Sequence, residues 1–338
     1  MSSDQHTMLT QRANVRLRPF REEDYPRMVE IGVASFPDDP WTVEEARHWD
    51  ASWDHERYEY IRLMAEDAAG RAVGYGRINH IPWEFHPQTY YLNVTVHPAL
   101  RHRGIGSVIY AALLGELQRR GALAVRSGVA KETMTESVAF LTRRGFAEVQ
   151  RGFESRLDVA AFDAARFAGA EERVAAQGIL LTTLAAERAR DPEALRKAYD
   201  LQQACGRDVP AVGQPTDTTF EMFVAHDIAA PTALLDAFFL ARDGDSYVGV
   251  SLLQRRLAQP EVLSQHLTGL LREYRGRGVA MALKLQTVKY ARAHGYREIR
   301  TFNDSRNRPM LRINEAMGFV KEPAGVTFEK RLGRFRQS

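Results

Sequence analysis

Two short turns rich in arginine and glycine are the segments of this chain best suited to chemistry, because their composition favours binding of a phosphate. Both have an arginine, two residues, a glycine, one residue and then glycine or alanine, and they read Arg101-His102-Arg103-Gly104-Ile105-Gly106 and Arg275-Gly276-Arg277-Gly278-Val279-Ala280. Each turn lies between an apolar segment and a run with the hydrophobic spacing of a helix. The first N–H groups of a helix have no partner within the helix and bind anions. The sequence therefore predicts two phosphate-binding turns.

The turns belong to a longer internal repeat. Three landmarks recur at an offset of 173 to 175 positions, namely Val-Gly at 73 and 248, the turns themselves, and Gly-Phe at 145 and 318. This period is far longer than a solenoid repeat and indicates tandem duplication of one compact domain. A chain of 338 residues has room for two such domains. We predict an N-terminal domain at 1–160, an alanine-rich helical connector at 161–177 and a C-terminal domain at 178–338.

The hydrophobic pattern predicts the elements that must position the turns. Apolar runs predict strands at 14–20, 60–66, 72–78, 90–96, 124–129 and 154–158, and again at 178–184, 238–241, 247–253, 267–271 and 298–303. Helical spacing predicts helices from 21–24, from 104, at 133–144, at 192–204, from 278 and at 309–317. Each half therefore has the pattern of an α/β fold with a mixed sheet, in which a strand leads through the turn into a helix.

Composition and charge limit the classes of function. The net charge is +3, and the arginines are dispersed apart from the two turns and the tail at 330–336, which argues against nucleic-acid binding. The single cysteine, Cys205, excludes an internal disulfide and a cysteine-rich metal site, and we expect it to pack as a small apolar side chain. Residues 1–12 lack the apolar core of a signal peptide, and no run of ~18 apolar residues is present to span a bilayer. We expect a cytoplasmic protein that binds no metal, nucleic acid or membrane.

The turns, the Val-Gly and Gly-Phe pairs and the order of strands and helices together resemble the GCN5-related N-acetyltransferases, the GNAT family. The hallmark of that family is the same turn placed between its fourth strand and its third helix, and both copies here match it. The resemblance covers about residues 14–158 and 178–330. Residues 274–284 and 307–319 look particularly like the C-terminal halves of two-domain members, of which mycothiol synthase is one. The resemblance implies two tandem GNAT domains with acetyl-CoA as the cofactor.

The resemblance assigns cofactor-binding residues to both halves. Coenzyme A carries a pyrophosphate, which backbone N–H groups surround only where no side chain blocks the approach, and glycine at 104 and 278 meets that need. The family fold further implies that the fourth strand splays from the fifth, so that backbone groups hold the pantetheine arm. The residues implicated are Val94, Val96, Arg101, His102, Arg103, Gly104, Ile105, Gly106 and Ser107 in the first half, and Leu270, Arg275, Gly276, Arg277, Gly278, Val279 and Ala280 in the second.

The usual catalytic residues of the family are missing from both halves. Many members place a tyrosine, the acid for the departing thiolate, four residues before the Gly-Phe pair, where this chain has Leu141 and Asn314. Some members place a glutamate base at the start of the fourth strand, where this chain has Tyr90 and Ser264. The family's acid and base therefore cannot be carried over to this chain.

Other residues are candidates for catalysis. Tyr90 flanks the expected cleft of the first half, with packing as the alternative, and strand alternation sends only one of Tyr90 and Tyr91 inward. Asn303 follows an apolar strand and is placed to orient a thiolate or a cofactor amide, although asparagines at strand ends often form turns. The second half offers as comparable candidates Tyr274, Glu221 and His266. An acceptor amine of low pKa would need no base.

From the resemblance we expect an acetyl-CoA-dependent N-acetyltransferase that acts on the primary amine of a small molecule, by direct attack through a tetrahedral intermediate, with the second half favoured as the working site. Aromatic and acidic residues at 36–58 suit a cationic acceptor, or else the aromatics anchor a helical flap on the sheet. These aromatics are Trp41, Trp49, Trp53 and Tyr58. Two alternatives stay open: an acetyl-CoA-binding sensor or scaffold with one or both domains non-catalytic, and a protein or peptide N-acetyltransferase. The oligomeric state stays open between monomer and homodimer.

Overall fold

The structure, a computed structural model, describes residues 13–333 and divides the chain into two compact units. Unit 1 contains the residues up to Gln150 and those from Val326 onward, and unit 2 contains Arg151–Gly325. Each unit has hydrophobic cores of its own.

Strands and helices alternate along most of the chain. The strands are β1 (Arg16–Pro19), β2 (Tyr60–Glu66), β3 (Ala72–Asn79), β4 (Thr89–Val96), β5 (Ala124–Val129), β6 (Ala147–Asp158), β7 (Ile179–Thr183), β8 (Ala233–Asp243), β9 (Ser246–Arg255), β10 (Val262–Leu270), β11 (Glu298–Asp304), β12 (Val320–Lys321) and β13 (Gly325–Arg331). The α-helices are α1 (Tyr25–Ser35), α2 (Val43–Ala51), α3 (Ile105–Arg119), α4 (Thr135–Thr142), α5 (Ala170–Ala175), α6 (Leu184–Arg188), α7 (Ala194–Gly206), α8 (Phe220–Phe223), α9 (Val279–Ala293) and α10 (Arg308–Met317). The predicted α/β class with a mixed sheet is confirmed.

In unit 1 the strands follow the order β1-β2-β3-β4-β5-β13, with β4 and β5 parallel and the other neighbours antiparallel. Helix α3 packs against β3 at Gly76, where an added Cβ would lie 2.4 Å from Ile109 Cγ2 and 2.8 Å from Leu113 Cδ1. Helix α1 packs on the opposite face, against Met64 and Tyr75. The close contact of α3 with the sheet fixes the position of the turn that precedes this helix.

In unit 2 the strands follow the order β6-β11-β10-β9-β8-β7, with β10 and β11 parallel, and β12 pairs with β6. Helix α9 packs on one face, where a Cβ at Gly249 would lie 3.1 Å from Leu283 Cδ1. Helix α7 packs on the other, where a Cβ at Gly269 would lie 2.6 Å from the Cβ of Cys205. We call these the α9 face and the α7 face. Cys205 is buried as expected, and burial raises the pKa of its thiol to about 12.

The compact units differ from the sequence halves at two strands. Strand β6 is longer than predicted, and its residues 152–158 pair with β11 in unit 2. Strand β13, which the hydrophobic pattern did not indicate, pairs with β5 in unit 1, from Val326 opposite Val129 to Arg331 opposite Ala124. Residues 161–177 hold the short helix α5 and lie in unit 2. The compact units are defined by spatial contacts, whereas the predicted domains are defined by the sequence repeat. The predicted domain boundaries at 160 and 178 therefore remain a prediction.

Candidate active site

Both glycine turns have the backbone conformation that an anion-binding turn needs. Gly104 (φ 81°) and Gly278 (φ 84°) are left-handed and stand at the N-caps of α3 and α9, each 15 residues long. Glycine adopts this conformation without the strain that a Cβ brings. Gly276 is also left-handed (φ 73°), whereas the first turn holds His102 in that conformation (φ 62°). The open N–H groups of two long helices therefore follow a left-handed glycine in both units.

In unit 1 the fourth and fifth strands separate at a fork. Strands β4 and β5 pair from Thr89 opposite Ala124 to Tyr91 opposite Arg126, although β4 continues to Val96. The N–H of His97 donates to Val73 on β3. Because successive residues of a strand point their backbone groups to opposite edges, those of Val94 and Val96 face the open edge of the fork.

Unit 2 has a fork at the corresponding place. Strands β10 and β11 pair from Val262 opposite Glu298 to Gln265 opposite Thr301, and β10 then continues to Leu270. The N–H of Leu271 donates to Val248, so the backbone of Leu270 faces the open edge. The predicted separation of these strands is therefore present in both units.

A β-bulge distinguishes the fork of unit 2. Gln265 lies opposite Leu253 and Thr268 opposite Ser251, so β10 has one more residue than β9 between these pairs. The extra residue places His266 and Leu267 together toward the α7 face. In unit 1 the register of β3 and β4 is continuous. Bulges of this kind redirect side chains next to active sites.

The bulge carries a histidine on the α7 face. His266 is exposed to solvent, yet the surrounding protein lowers its pKa to about 4, mainly by desolvation and further through the charge of Arg256. At this pKa the imidazole is neutral at physiological pH.

A carboxylate lies near the same face. Asp227 belongs to a π-helical turn, Val224–Ile228, and accepts hydrogen bonds from Gln202 Nε2 (3.0 Å) and Gln254 Nε2 (3.1 Å). Burial raises the pKa of Asp227 to about 6. Gln254 lies opposite Ser264, two residues before His266, so all three belong to the α7 face. The bulge thus places an imidazole on the same face of the sheet as a carboxylate of raised pKa.

Asn303, nominated from the sequence, lies on β11 just beyond the point where the fork opens. Its Oδ1 accepts a hydrogen bond from Asn314 Nδ2 at 2.7 Å. Asn314 is 2% exposed, and its Oδ1 has no hydrogen-bond partner among residues 13–333. The residue at the family's tyrosine position therefore contacts the nominated asparagine and has a buried acceptor left over for a ligand.

The two nominated tyrosines have structural contacts. Tyr90 is 3% exposed, and its ring stacks on His80 with centroids 4.4 Å apart. Of the tyrosine pair, it is Tyr91 that points to the α1 side of the sheet, where its hydroxyl lies against Gly128. Tyr274 donates to Asp243 Oδ2 at 2.8 Å, and this bond raises the pKa of Tyr274. A catalytic role for Tyr90 or Tyr274 remains a prediction.

The arginine of the second turn is held by protein groups. Arg275 donates to the carbonyl of Leu270 (3.1 and 3.2 Å) and to Asp208 (2.5 Å). Hydrogen bonds from Arg272 and Arg275 hold the pKa of the Asp208 carboxyl well below its usual range. Arg275 therefore joins the turn to the edge of β10, and a pyrophosphate would compete with Asp208 for its guanidinium.

The first turn is supported by a cation that sequence reasoning missed. Arg144 donates to Ser107 Oγ at 2.8 Å, in the first turn of α3, and its guanidinium lies 3.5 Å from the ring centre of Phe140. His102 contacts Glu136 at 3.0 Å. Arg101 is half-buried and Arg103 is exposed. The only sequence signal for Arg144 was its place directly before the Gly-Phe pair.

The aromatic residues of the segment at 36–58 pack for the most part. Trp53 and Tyr58 are buried, and the ring of Trp41 occupies the space beside Gly32 of α1. Of these four aromatic residues, Trp49 is exposed. These contacts favour the interpretation that the aromatics anchor the helices α1 and α2 on the sheet.

Within residues 13–333, no group of three histidine, cysteine, aspartate or glutamate side chains is arranged to hold a metal ion. Over the same part of the chain, none of the helices has the length and apolar character that crossing a membrane requires.

Comparison with known proteins is consistent with this geometry. The model of the acetyltransferase (GNAT) family matches residues 22–146 and 196–319. A GCN5-related N-acetyltransferase from Sphaerobacter thermophilus is 20% identical, with 95% of this chain and 97% of that one aligned and a TM-score of 0.65. A tandem GNAT protein from the clavulanic acid biosynthesis pathway, solved without AcCoA, is 18% identical over 95% of this chain and 100% of that one, with a TM-score of 0.69. No curated protein matches the chain in sequence. At these identities the structural likeness shows the fold alone.

Proposed function

Because this chain belongs to the acetyltransferase (GNAT) family, we propose that it transfers the acetyl group of acetyl-CoA to the primary amine of a small molecule, and that unit 2 is the working site. The observation that carries the proposal is the fork between β10 and β11, whose bulge turns His266 toward the face that holds Asp227. Unit 1 has a fork without a bulge.

The residues of unit 2 fit coenzyme A. The left-handed Gly278 opens the N-terminus of α9 to a pyrophosphate, and the backbone of Leu270 faces the fork, beyond the last paired residues of β10 and β11. The unpartnered Oδ1 of Asn314 suits an amide N–H of the pantetheine arm. Bound there, acetyl-CoA supplies an acetyl group activated as a thioester.

The acceptor must lose a proton before its nitrogen forms the new C–N bond. Asp227, with its pKa raised to about 6, is the group that we assign to take this proton, and the neutral imidazole of His266 accepts a hydrogen bond from the acceptor. The carboxylate of Asp227 also attracts a protonated amine to the cleft. The two glutamine amides that hold Asp227 fix its orientation, because both donate to the carboxylate.

The departing sulfur needs a hydrogen-bond donor as the C–S bond breaks. Because Oδ1 of Asn303 accepts the bond from Asn314, its Nδ2 group is directed away from Asn314. We assign this Nδ2 group to the sulfur. An amide lowers the energy of the thiolate without giving up a proton, so the proton that neutralises the thiolate comes from solvent or from the protonated base.

A second candidate function, acetyl-CoA binding without turnover, is supported for unit 1. Arg126, opposite Tyr91 at the fork, is buried and makes ion pairs with Glu84 (2.6 Å) and Glu329 (3.0 Å). Both carboxylates at this fork are thus engaged by the Arg126 guanidinium. We therefore propose that unit 1 binds the cofactor and that unit 2 catalyses.

Titration calorimetry with acetyl-CoA and a thiol-release assay over a panel of amines and peptides test the proposal. Gly278→Val forces a β-branched residue into a left-handed position and is expected to remove one binding event and all turnover. Gly295→Val is the matched control, because Gly295 is left-handed (φ 75°) at the other end of α9, with no atom near its would-be Cβ.

The results separate the two units and the two acceptor classes. Loss of turnover with Gly104→Val alone contradicts the assignment to unit 2. Turnover only with peptides contradicts the small-molecule acceptor, and absence of any binding contradicts acetyl transfer altogether.

A further inference from the structure

A lysine is buried beneath the fork of unit 2, and it has no acidic partner among residues 13–333. Lys284 lies on α9 and is 1% exposed. Its Nζ donates to Gln265 Oε1 at 2.6 Å and lies 4.8 Å from the ring centre of Phe319. Among residues 13–333 no carboxylate lies within ion-pair distance of Lys284, and burial lowers its pKa to about 7. An unpaired buried amine costs stability, so a contribution to folding does not explain it.

The amine is the first member of a polar network that spans the bulge of β10. Gln265 Nε2 donates to Ser251 Oγ (2.8 Å) and to Thr268 Oγ1 (3.0 Å), and the two hydroxyls lie 2.8 Å apart. Gln265 is the residue paired with β9 before the bulge, and Thr268 is the next one after it. The side chain of Gln265 therefore ties the two ends of the bulge together.

The lysine determines which way the glutamine amide faces. Because Nζ donates to Oε1, the amide must direct its NH2 group toward the two hydroxyls. Without that donor, the amide has no fixed preference between its two orientations, and one of them presents Oε1 to Ser251 and Thr268. Lys284 thus orders a bridge that the backbone of a bulge does not provide by itself.

The corresponding positions of unit 1 have neither the network nor the bulge. By the offset of the turns, Tyr110 replaces Lys284. By strand register, Leu92 opposite Ile78 replaces Gln265 opposite Leu253, and Val94 opposite Gly76 replaces Thr268 opposite Ser251. The network and the bulge therefore occur together.

We propose that Lys284 is a positioning residue for the acetyl donor, which acts through Gln265 to hold the bulge of β10. The bulge sets the direction of the backbone groups at residues 266–268 and of the His266 imidazole at the fork. This inference rests on the proposed acetyl transfer in unit 2. Lys284 contacts no part of the cleft directly, since it lies on the α9 face and His266 lies on the α7 face.

Lys284→Met tests the proposal, because methionine has a similar shape and offers neither charge nor donor. We expect acetyl-CoA binding to unit 2 to weaken about 10- to 100-fold, as a shift of the contact groups by about 1 Å would cause. The backbone amide signals of residues 266–268 should move in NMR spectra, while thermal stability stays the same or rises. Lys289→Met is the matched control, since Lys289 lies on the same helix in an exposed ion pair with Glu171.

A double-mutant cycle shows whether Lys284 acts through Gln265. Gln265→Leu alone should weaken binding as much as Lys284→Met, and the double variant should weaken it no further. The proposal is wrong if the two losses of acetyl-CoA affinity multiply in the double variant. It is also wrong if the amide signals of residues 266–268 do not move in Lys284→Met. A loss of affinity matched by an equal loss of stability also overturns it, because that marks a structural role only.

Failure of the proposed function is recognised separately. If Gly278→Val leaves the acetyl-CoA isotherm unchanged, unit 2 does not bind the donor and the proposed function is wrong. The amide signals of the bulge are measured without acetyl-CoA and still decide whether Lys284 holds it.

Discussion

Replacing Lys284 by methionine is expected to change how the stability of unit 2 depends on pH. The amine is buried against Phe319 and Gln265, and burial lowers its pKa from an ordinary value of 10.5 to about 7. Between these two values the unfolded chain binds a proton that the folded unit has released. Stability therefore rises with pH across this window, because the unfolded state binds more protons.

The size of the effect follows from the width of the window. Each pH unit contributes about 1.4 kcal/mol to the free energy of unfolding, so about 4 kcal/mol accumulates between roughly pH 7 and pH 10. Below the window the lysine is charged in both states, and the full cost of burying the charge is present. The methionine variant lacks this term. Its stability relative to the wild type is thus highest at or below about pH 7 and declines by about 4 kcal/mol towards pH 10.

Hydrogen exchange is the appropriate assay. All four tryptophans, at 41, 49, 53 and 83, lie in unit 1, so tryptophan fluorescence does not report on the unit that contains Lys284. Exchange of peptides from β9 and α9 gives the free energy of opening in unit 2. Intrinsic exchange rates vary with pH but are the same for both proteins, so they cancel in the comparison.

If the free energy of opening in unit 2 depends on pH in the same way in the wild type and the variant, Lys284 titrates near its ordinary pKa in the folded unit and this prediction is wrong. Lys289→Met should give a profile parallel to that of the wild type, since Lys289 is exposed.

Three other outcomes are expected. Asp227→Asn should lower kcat/KM and abolish the rise in rate as pH increases through about 6, which a pH–rate profile shows; the rise persisting in the variant would exclude this carboxylate as the base. His102→Gly should stabilise unit 1 and Gly276→His should destabilise unit 2, by about 1 kcal/mol each in denaturant unfolding, because both positions are left-handed; no change in either would show that the turns carry no strain. Cys205 should react with a thiol reagent only after unfolding, since it is buried and its pKa is raised to about 12; rapid reaction in the native protein would show that α7 opens.

The turns could be predicted from the sequence because their signals are local, whereas the forks were expected only from the family resemblance. A glycine four positions into each turn marks a left-handed residue, and the apolar runs before and after it mark the strand and the helix. The bulge had no such signal, because the distance from the Val-Gly pair to the turn is one residue shorter in the second half, 27 positions against 28, although β10 has one more residue than β9.

Other features depend on contacts that the local pattern does not contain. Strand β13 pairs with β5 across some two hundred positions, and no periodicity within β13 identifies its partner. Asp227 lies in a π-helical turn, where neither helix nor strand spacing applies. For Tyr90 and Tyr91, alternation predicts opposite faces but does not say which face each one takes. The structure resolves that choice through packing, with Tyr90 stacked on His80 in the core.

The return of the chain to unit 1 at Val326 has a consequence for synthesis. On the ribosome the first 150 residues emerge long before β13, so β5 waits with an unpaired edge while all of unit 2 is made. Exposed strand edges pair with other chains, and nascent domains generally fold as soon as they emerge. Unit 2 is complete first, and unit 1 closes last, when its final strand is released. The protein is therefore most exposed to misassembly during the translation of its second half.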